Sequence, residues 1–174
     1  MATQNPEESA ADPFLLIGVI TAPNSFGRRD MLRSFAKTST DTTQARPVRT
    51  EFVFGDRLYT GDVPVEAQRK LAAESRATGD VVFVKARERL PHVGKTTEKS
   101  AAWWGSVAAA HPEYAYYCKA DDDTLIHLSH LASTVAQLRH ELGDGAAVYL
   151  GNMKWRGWEP HHRFQACGGV WGGA

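Results

Sequence analysis

Residues Phe14 to Thr21 are almost continuously apolar, with the sequence Phe-Leu-Leu-Ile-Gly-Val-Ile-Thr. Successive residues of a strand point to opposite faces, so a segment of this kind needs apolar cover on both sides. Such strands occur at the centre of parallel sheets, where helices pack on each face. The run therefore predicts a central buried strand and restricts the chain to folds in which helices enclose a sheet.

Strand-like and helix-like segments alternate along the rest of the chain. Strands are predicted at 14–21, 48–55, 81–84, 114–120 and 147–151. Helices are predicted at 27–37, 65–76, 96–111 and 125–142, and Ser25 is a possible N-cap of the first. This alternation indicates an α/β fold, a mainly parallel, Rossmann-like sheet flanked by helices. Ligands of such sheets bind at the carboxyl ends of the strands.

Two of the predicted helices have apolar residues that define a buried face. In the helix at 96–111, the expected core-facing residues are Ala101, Trp104, Val107 and Ala108. In the helix at 125–142, apolar residues recur at steps of three and four, namely Leu128, Leu131, Val135, Leu138 and Leu142. The glycines in Gly143-Asp144-Gly145 are expected to end this helix.

The strand predicted at 114–120 runs into three consecutive aspartates, Asp121, Asp122 and Asp123. Adjacent carboxylates repel one another unless a cation lies among them. Mg²⁺ and Mn²⁺ prefer oxygen ligands, and proteins commonly hold them with one or two carboxylates plus substrate phosphates. The alternative is that Asp123 or Thr124 caps the next helix. Because capping accounts for one aspartate and leaves two unexplained, we favour a metal and diphosphate site.

Three cationic residues lie where they suit a phosphate group. Arg29 and Arg33 follow the first predicted strand and share a helix face at i, i+4. Guanidinium groups bind diphosphates well. Lys95 lies near a predicted helix start, where it suits a phosphate as a point charge. Solvated surface side chains are the alternative for all three.

Two phosphate-related motifs fail on spacing. Gly94-Lys95-Thr96 lacks the earlier glycine of a phosphate loop, because that position is Arg89. The aspartates resemble the aspartyl phosphatase motif Asp-x-Asp-x-Thr, but Thr124 follows the second candidate aspartate directly. Neither motif explains the aspartate cluster.

The segment from Asn152 onward is rich in aromatic residues and glycine. Trp155, Trp158 and Trp171 suit a platform on which a sugar ring stacks, with core packing as the alternative. The neighbouring His161 and His162 are interpreted as surface or core residues, because adjacent histidines in a loop chelate metals poorly.

Composition limits the kinds of partner and the organisation of the chain. The 174 residues include 20 basic and 20 acidic residues, so no basic excess favours nucleic acid. No run of about 18 apolar residues predicts a membrane span. We expect residues 1–12 to be a disordered lead-in and 13–174 to form a single domain. The segment 170–174 carries no stop signal, which suggests that a longer protein continues beyond it.

Four segments, in family order, together resemble the β1,3-galactosyltransferase-like hexosyltransferases (glycosyltransferase family 31). Residues 29–35 resemble Arg-x-x-x-Arg-x-Trp, with Phe35 in place of the tryptophan. Glu74 followed by Gly-Asp-Val-Val at 79–82 resembles Glu…Gly-Asp-Ile-Leu. Residues 94–99 resemble the segment before the next helix, and 117–124 resemble the more specific Lys-x-Asp-Asp-Asp motif. The resemblance covers roughly residues 14–151.

This resemblance implies a GT-A fold and a reaction. The donor would be UDP-galactose or a UDP-N-acetylhexosamine, the cofactor Mn²⁺ or Mg²⁺, and the acceptor a hydroxyl of a glycan or glycoprotein. The sugar would be transferred with inversion at its anomeric carbon. Members of the family are usually anchored in the Golgi membrane by an N-terminal helix, which is not found in this sequence.

The resemblance also implies roles for particular residues. Asp121 and Asp123 would bind the metal, with Asp123 as the direct ligand. The residues expected at the nucleotide sugar are Thr21, Arg29, Arg33, Lys95, Asp121 and Asp122. The candidates for the acceptor side are Trp155, Trp158 and Glu159. The family's catalytic base falls beyond residue 174, so the catalytic residue is unknown. A non-catalytic nucleotide- or glycan-binding module and a metal-dependent phosphohydrolase remain alternatives.

Overall fold

A computed structural model describes residues 14–39, 48–57, 63–88, 97–143, 147–148 and 150. Strands and helices alternate along these residues, as the sequence predicts. The strands are β1 (Leu15–Ile20), β2 (Val48–Arg57), β3 (Val81–Arg87) and β4 (Tyr116–Asp121). The helices are α1 (Phe26–Ser39), α2 (Val65–Thr78), α3 (Thr97–Ala110) and α4 (Leu128–Leu142).

The four described strands form one sheet in the order β3-β2-β1-β4, and every neighbouring pair is parallel. Strand β1 is buried along its whole length, as its apolar run predicts. Parallel neighbours need a crossover connection, and the described parts of these connections contain helices. The α/β fold class is therefore confirmed.

Strand β4 differs from its prediction as a buried strand. It lies at one edge of the described sheet and is mostly half-buried. Its aromatic residues suit a strand whose outer face has partial cover. Cys118 in this strand is a free thiol, and burial raises its pKa, as expected for a packed thiol.

The buried face of α3 contains Lys99, Trp103 and Val107, at steps of four. The prediction was right for Val107 and wrong for Trp104, whose exposed fraction is 47%, compared with 1% for Trp103. The other two predicted core residues of this helix, Ala101 and Ala108, are also exposed.

The missing side chain at Gly18 explains why Trp103 faces the sheet. A Cβ atom at position 18 would lie 2.3 Å from Cε2 of Trp103, so the indole occupies the space that a side chain would fill. The indole belongs to a core cluster formed by Leu16, Ile20, Val53, Val84, Ala86, Trp103 and Val107.

Helix α4 begins three residues later than predicted. Its first turn is capped by His127, whose carbonyl accepts a hydrogen bond from the Leu131 amide at 3.0 Å. The His127 Nδ1 atom accepts from the His130 amide at 3.4 Å. The helix ends as predicted before Gly143, whose φ of +89° suits a residue without a side chain.

The buried residues of α4 only partly match the predicted stripe. Leu128 and Val135 are buried, Leu131 and Leu138 are half-buried, and Leu142 is 58% exposed. Leu142 belongs to the last turn of the helix, where the apolar pattern continues beyond the buried part.

The strand predicted at 147–151 is wrong where the structure describes it. Ala147, Val148 and Leu150 belong to no strand. A short apolar run has no strand conformation of its own unless a neighbouring strand pairs with it.

The chain divides into two compact units, Met1–Thr134 and Val135–Ala174. The described sheet lies in the first unit, together with α1, α2 and α3. Among the described residues, no helix is both long and apolar enough to cross a membrane. The expected lead-in at 1–12 and the aromatic segment from Asn152 onward lie outside the described residues.

Candidate functional site

The aspartate cluster lies at the carboxyl edge of the sheet, where the strand ends meet. In the parallel pairing of β1 and β4, Ile20 lies opposite Asp121. The next residues along each strand, Thr21 and Asp122, are joined by a hydrogen bond of 2.8 Å from the Thr21 hydroxyl to the carboxylate. This contact fixes the cluster against the central strand of the fold.

Asp122 is the most firmly held of the three aspartates. Its other carboxylate oxygen accepts a hydrogen bond of 2.8 Å from Arg28. Burial alone would raise the pKa of Asp122, but the hydrogen bonds from Arg28 and Thr21 outweigh burial and hold the pKa below its ordinary value. Asp122 is therefore an ionised anchor.

Asp121 and Asp123 flank this anchor in the sequence, and their side chains are half-buried and exposed, respectively. Asp121 ends β4, and its carbonyl accepts a hydrogen bond from the Thr124 amide at 3.1 Å, which closes a turn around the cluster. Its Oδ1 atom lies 2.7 Å from Lys119 Nζ, an ion pair by distance, although the two groups are not aligned for a hydrogen bond. Asp123 is exposed.

The turn geometry excludes the capping explanation for the aspartates. Because His127 supplies the capping contacts of α4, neither Asp123 nor Thr124 is at the N-cap of that helix. Capping therefore does not explain Asp123, whereas the carboxylate of Asp121 pairs with Lys119.

The donor chemistry of this turn suits a hard divalent cation. Carboxylate oxygens are the ligands that Mg²⁺ and Mn²⁺ prefer. Within the described ranges, no three His, Cys, Asp or Glu side chains converge on a common point that could hold a metal. A divalent ion held by carboxylates of this turn would have to take its remaining ligands from water or from the phosphates of a bound molecule.

Arg29 and Arg33 lie in one ion-pair cluster with the carboxylates of Glu74 and Asp80. Arg29 forms two hydrogen bonds to Glu74, of 2.8 and 2.6 Å, and is fully buried. Arg33 forms two to Asp80, of 2.7 and 2.9 Å, and also lies 2.6 Å from Glu74. Both guanidinium groups also lie over phenylalanine rings. These contacts attach α1 to α2 and to the start of β3.

The same contacts perturb both carboxyl groups. Burial would raise the pKa values of Glu74 and Asp80, but the arginine hydrogen bonds and charges outweigh burial and lower both. Arg29 reaches the edge of the sheet as well, because its Nη1 atom donates to the Ala22 carbonyl at 2.8 Å. The roles of Arg29 and Arg33 at a nucleotide stay predictions.

The sequence did not predict two features of the site. Arg28 is the cation that contacts Asp122, and its side chain is 57% exposed. Lys99 and Glu88 form a buried ion pair of 2.6 Å beneath the site, with side-chain exposures of 2% and 1%. Burial raises the pKa of Glu88, although the charge of Lys99 opposes this. One sequence signal could have indicated that Lys99 is buried: it lies at steps of four from Trp103 and Val107 and so shares their helix face.

The remaining predicted site residues lie outside the described ranges. These are Lys95, Trp155, Trp158 and Glu159. Of the predicted site residues, the structure places Thr21 and Asp122 in direct contact, with Asp121 and Asp123 beside them and Arg29 next to Thr21.

No protein-family model matches the chain. Two curated proteins that it resembles are both called beta-1,3-galactosyltransferase 4. The protein from Rattus norvegicus is 28% identical over 171 residues, which covers 85% of this chain and 43% of the relative. The protein from Homo sapiens is 30% identical over 124 residues, which covers 71% of this chain and 32% of the relative. The chain thus spans less than half the length of either relative.

Proposed function

We propose that this chain is the donor-binding part of a hexosyltransferase. It would bind a UDP-sugar, from which galactose or an N-acetylhexosamine passes to a hydroxyl of a glycan or glycoprotein. The observation that carries the proposal is the anchored aspartate cluster, in which Thr21 and Arg28 hold Asp122 while Asp121 and Asp123 flank it. The likeness to two proteins named as galactosyltransferases supports the same reaction class.

In this proposal Asp121 and Asp123 hold Mn²⁺ or Mg²⁺. A bound divalent ion neutralises the charge that grows on the diphosphate leaving group. The 3.1 Å hydrogen bond from the Thr124 amide to the Asp121 carbonyl closes the turn, and this fixes the backbone that carries both aspartates before ligand binds. Preorganisation of this kind lowers the cost of binding.

The cations around the cluster divide into two roles. Arg28 is half-exposed beside Asp122 and is available to a diphosphate at the edge of the site. Arg29 and Arg33 attach α1, the helix that carries Arg28, to α2 through Glu74 and to the start of β3 through Asp80. Arg29 also donates a hydrogen bond to the carbonyl of Ala22. Transfer with inversion also needs a base that accepts the proton of the acceptor hydroxyl, and we assign no residue to that role.

The surroundings of the reaction follow from the same proposal. Trp155, Trp158 and Glu159 would lie on the acceptor side, and Lys95 beside the nucleotide. The whole protein would work at the Golgi membrane, where glycan and glycoprotein acceptors are found.

Calorimetry with UDP, in the presence and absence of Mn²⁺, tests the proposal. We expect UDP to bind the wild-type chain only when Mn²⁺ is present, and we expect Asp123→Ala to abolish this binding because a metal ligand is lost. Glu113→Ala is the matched control, since Glu113 is an exposed carboxylate before the opposite end of β4. Absence of Mn²⁺-dependent UDP binding by a folded wild-type sample would overturn the proposal.

Turnover assays on a chain extended to the length of its relatives distinguish the alternatives. Transfer or donor hydrolysis is expected for the enzyme. Binding without either reaction would indicate a non-catalytic module, and turnover of an aryl phosphate would indicate a phosphohydrolase.

A further inference from the structure

A continuous series of hydrogen bonds joins the carboxyl ends of all four described strands. It begins at β2, where the amide of Gly55 donates to Glu88 at 2.6 Å, and Glu88 directly follows the end of β3. Lys99 of α3 donates to the other Glu88 oxygen at 2.6 Å and to the carbonyl of Thr21, after β1, at 2.6 Å. The Thr21 hydroxyl then donates to Asp122, after β4.

The interior part of this series is fully removed from water. Lys99 and Glu88 expose 2% and 1% of their side chains, and Thr21 exposes 3%. A buried ion pair is weak evidence for a stabilising role, because an apolar pair of similar volume is often as stable. Stability alone therefore does not account for the Lys99–Glu88 pair.

The backbone is shaped to bring this pair together. A Cβ atom at Gly55 would lie 2.5 Å from the carbonyl oxygen of Ala86 and 2.9 Å from the Glu88 amide nitrogen. Only a residue without a side chain lets the end of β2 approach so closely that its amide reaches the Glu88 carboxylate. This close approach is a second, independent sign that the position of Glu88 is specified.

We propose that Lys99 and Glu88 are positioning residues of the donor site, acting through Thr21 on the aspartate cluster. Lys99 fixes the Thr21 carbonyl from below, and this orients the hydroxyl that holds Asp122. Asp122 in turn sets the turn that carries Asp121 and Asp123. The inference rests on the proposed function, and it adds a route by which residues with no ligand contact control the site.

The test removes both charges at once, so that no unpaired charge is left buried. In the full chain, the double variant Glu88→Gln/Lys99→Met keeps side chains of similar size and is expected to fold. We expect its affinity for UDP in the presence of Mn²⁺ to fall about tenfold, because residues that orient ligating groups typically contribute 10–100-fold. Adding Thr21→Val to the double variant should lower the affinity by less than Thr21→Val lowers it in the wild-type chain, since both act through one contact.

Two control variants separate positioning from a general loss of stability. Glu66→Gln/Lys70→Met makes the same substitutions in an exposed pair on α2 and should leave the affinity unchanged. Val107→Ala destabilises the same helix, α3, without touching the hydrogen-bond series. If Val107→Ala lowers the affinity as much as the Glu88/Lys99 double variant at equal stability, the pair is structural only and the inference is overturned.

Amide NMR spectra of the free protein provide a readout that needs no ligand. The double variant should shift the signals of Ala22 and Asp122 because the Thr21 carbonyl loses its donor, and Val107→Ala should leave these signals in place. Unchanged Ala22 and Asp122 signals in the double variant would overturn the inference. If the wild-type chain binds no UDP, the proposed function fails, while the NMR result still decides whether Lys99 and Glu88 position the turn.

Discussion

At the scale of single residues, the absence of a side chain determines two parts of the structure. Gly18 admits the indole of Trp103 to the face of the sheet, and Gly55 admits the backbone around Ala86 to the end of β2. Neither position has the left-handed backbone for which glycine is usually kept. Close packing, not backbone conformation, requires glycine at both.

Gly18→Ala should therefore destabilise the protein, because its new methyl group would overlap the Trp103 ring. Overpacking of a core typically costs about 1–3 kcal/mol. Gly105→Ala in α3 is the control: a Cβ atom there would meet no neighbouring group within 4 Å, and alanine stabilises a helix interior by about 0.5–1 kcal/mol. Urea unfolding of the two variants should give changes in the free energy of unfolding of opposite sign. An unchanged or higher stability of Gly18→Ala would contradict the packing argument.

At the scale of elements, Arg29 and Arg33 connect α1 to α2 and to the start of β3, which the sequence did not predict. The resemblance implies that Arg29 and Arg33 bind a nucleotide, and this role stays a prediction. The structure adds that their guanidinium groups lie against Glu74 and Asp80. The resemblance had already singled out all four residues, in two separate segments. What the sequence could not show is that these segments meet, because the contact joins residues that are 45 and 47 positions apart.

Acid should weaken this attachment of α1 to α2. The pKa of Glu74 is lowered in the folded state, so as the pH falls through its ordinary value of 4.5 the unfolded chain takes up the proton first. The free energy of unfolding therefore falls with pH below about 4.5. Glu74→Gln should cost about 1–3 kcal/mol at neutral pH, since it removes a charge that partners a buried cation.

The difference between wild type and Glu74→Gln should shrink as the pH is lowered, because acid neutralises the wild-type carboxylate too. Urea unfolding across a pH series measures this. Glu66→Gln, at an exposed position of the same helix, should follow the wild-type curve. A constant difference between wild type and Glu74→Gln at all pH values would show that Glu74 does not titrate as its contacts require.

Periodicity predicted the elements well and their contacts less well. The apolar run 14–21 predicted β1 correctly, because a strand buried on both faces needs apolar residues throughout. Gly143 predicted the end of α4 correctly, because a positive φ favours glycine. Trp103 and Trp104 are adjacent, so periodicity alone could not decide which faces the core; the space at Gly18 decides it. Lys99 and Glu88 look like surface residues until their partners are known.

At the scale of the whole molecule, a ligand that binds only the folded site should stabilise the entire chain. At a concentration near 100 times Kd, such a ligand raises the free energy of unfolding by about 2.7 kcal/mol. For a chain of this size, that corresponds to a rise in Tm of about 5–10 °C. Thermal unfolding should show this rise for UDP and Mn²⁺ together, and a smaller one or none for UDP alone.

Asp123→Ala is the control for this measurement, and Glu113→Ala should behave as the wild type. An equal rise in Tm for wild type and Asp123→Ala would mean that the nucleotide binds elsewhere on the protein, away from the aspartate cluster.

The contact between Thr21 and Asp122 joins residues 101 positions apart, and it belongs to the pairing of β1 with β4. Closing so long a loop carries a larger entropic cost than pairing β1 with β2, and non-local parallel pairing is slow. Strand β1 is also synthesised well before β4. During synthesis, one edge of β1 therefore stays unpaired until β4 has been made. We expect the carboxylate cluster to assemble late. Nucleotide binding would then report that the sheet has finished folding.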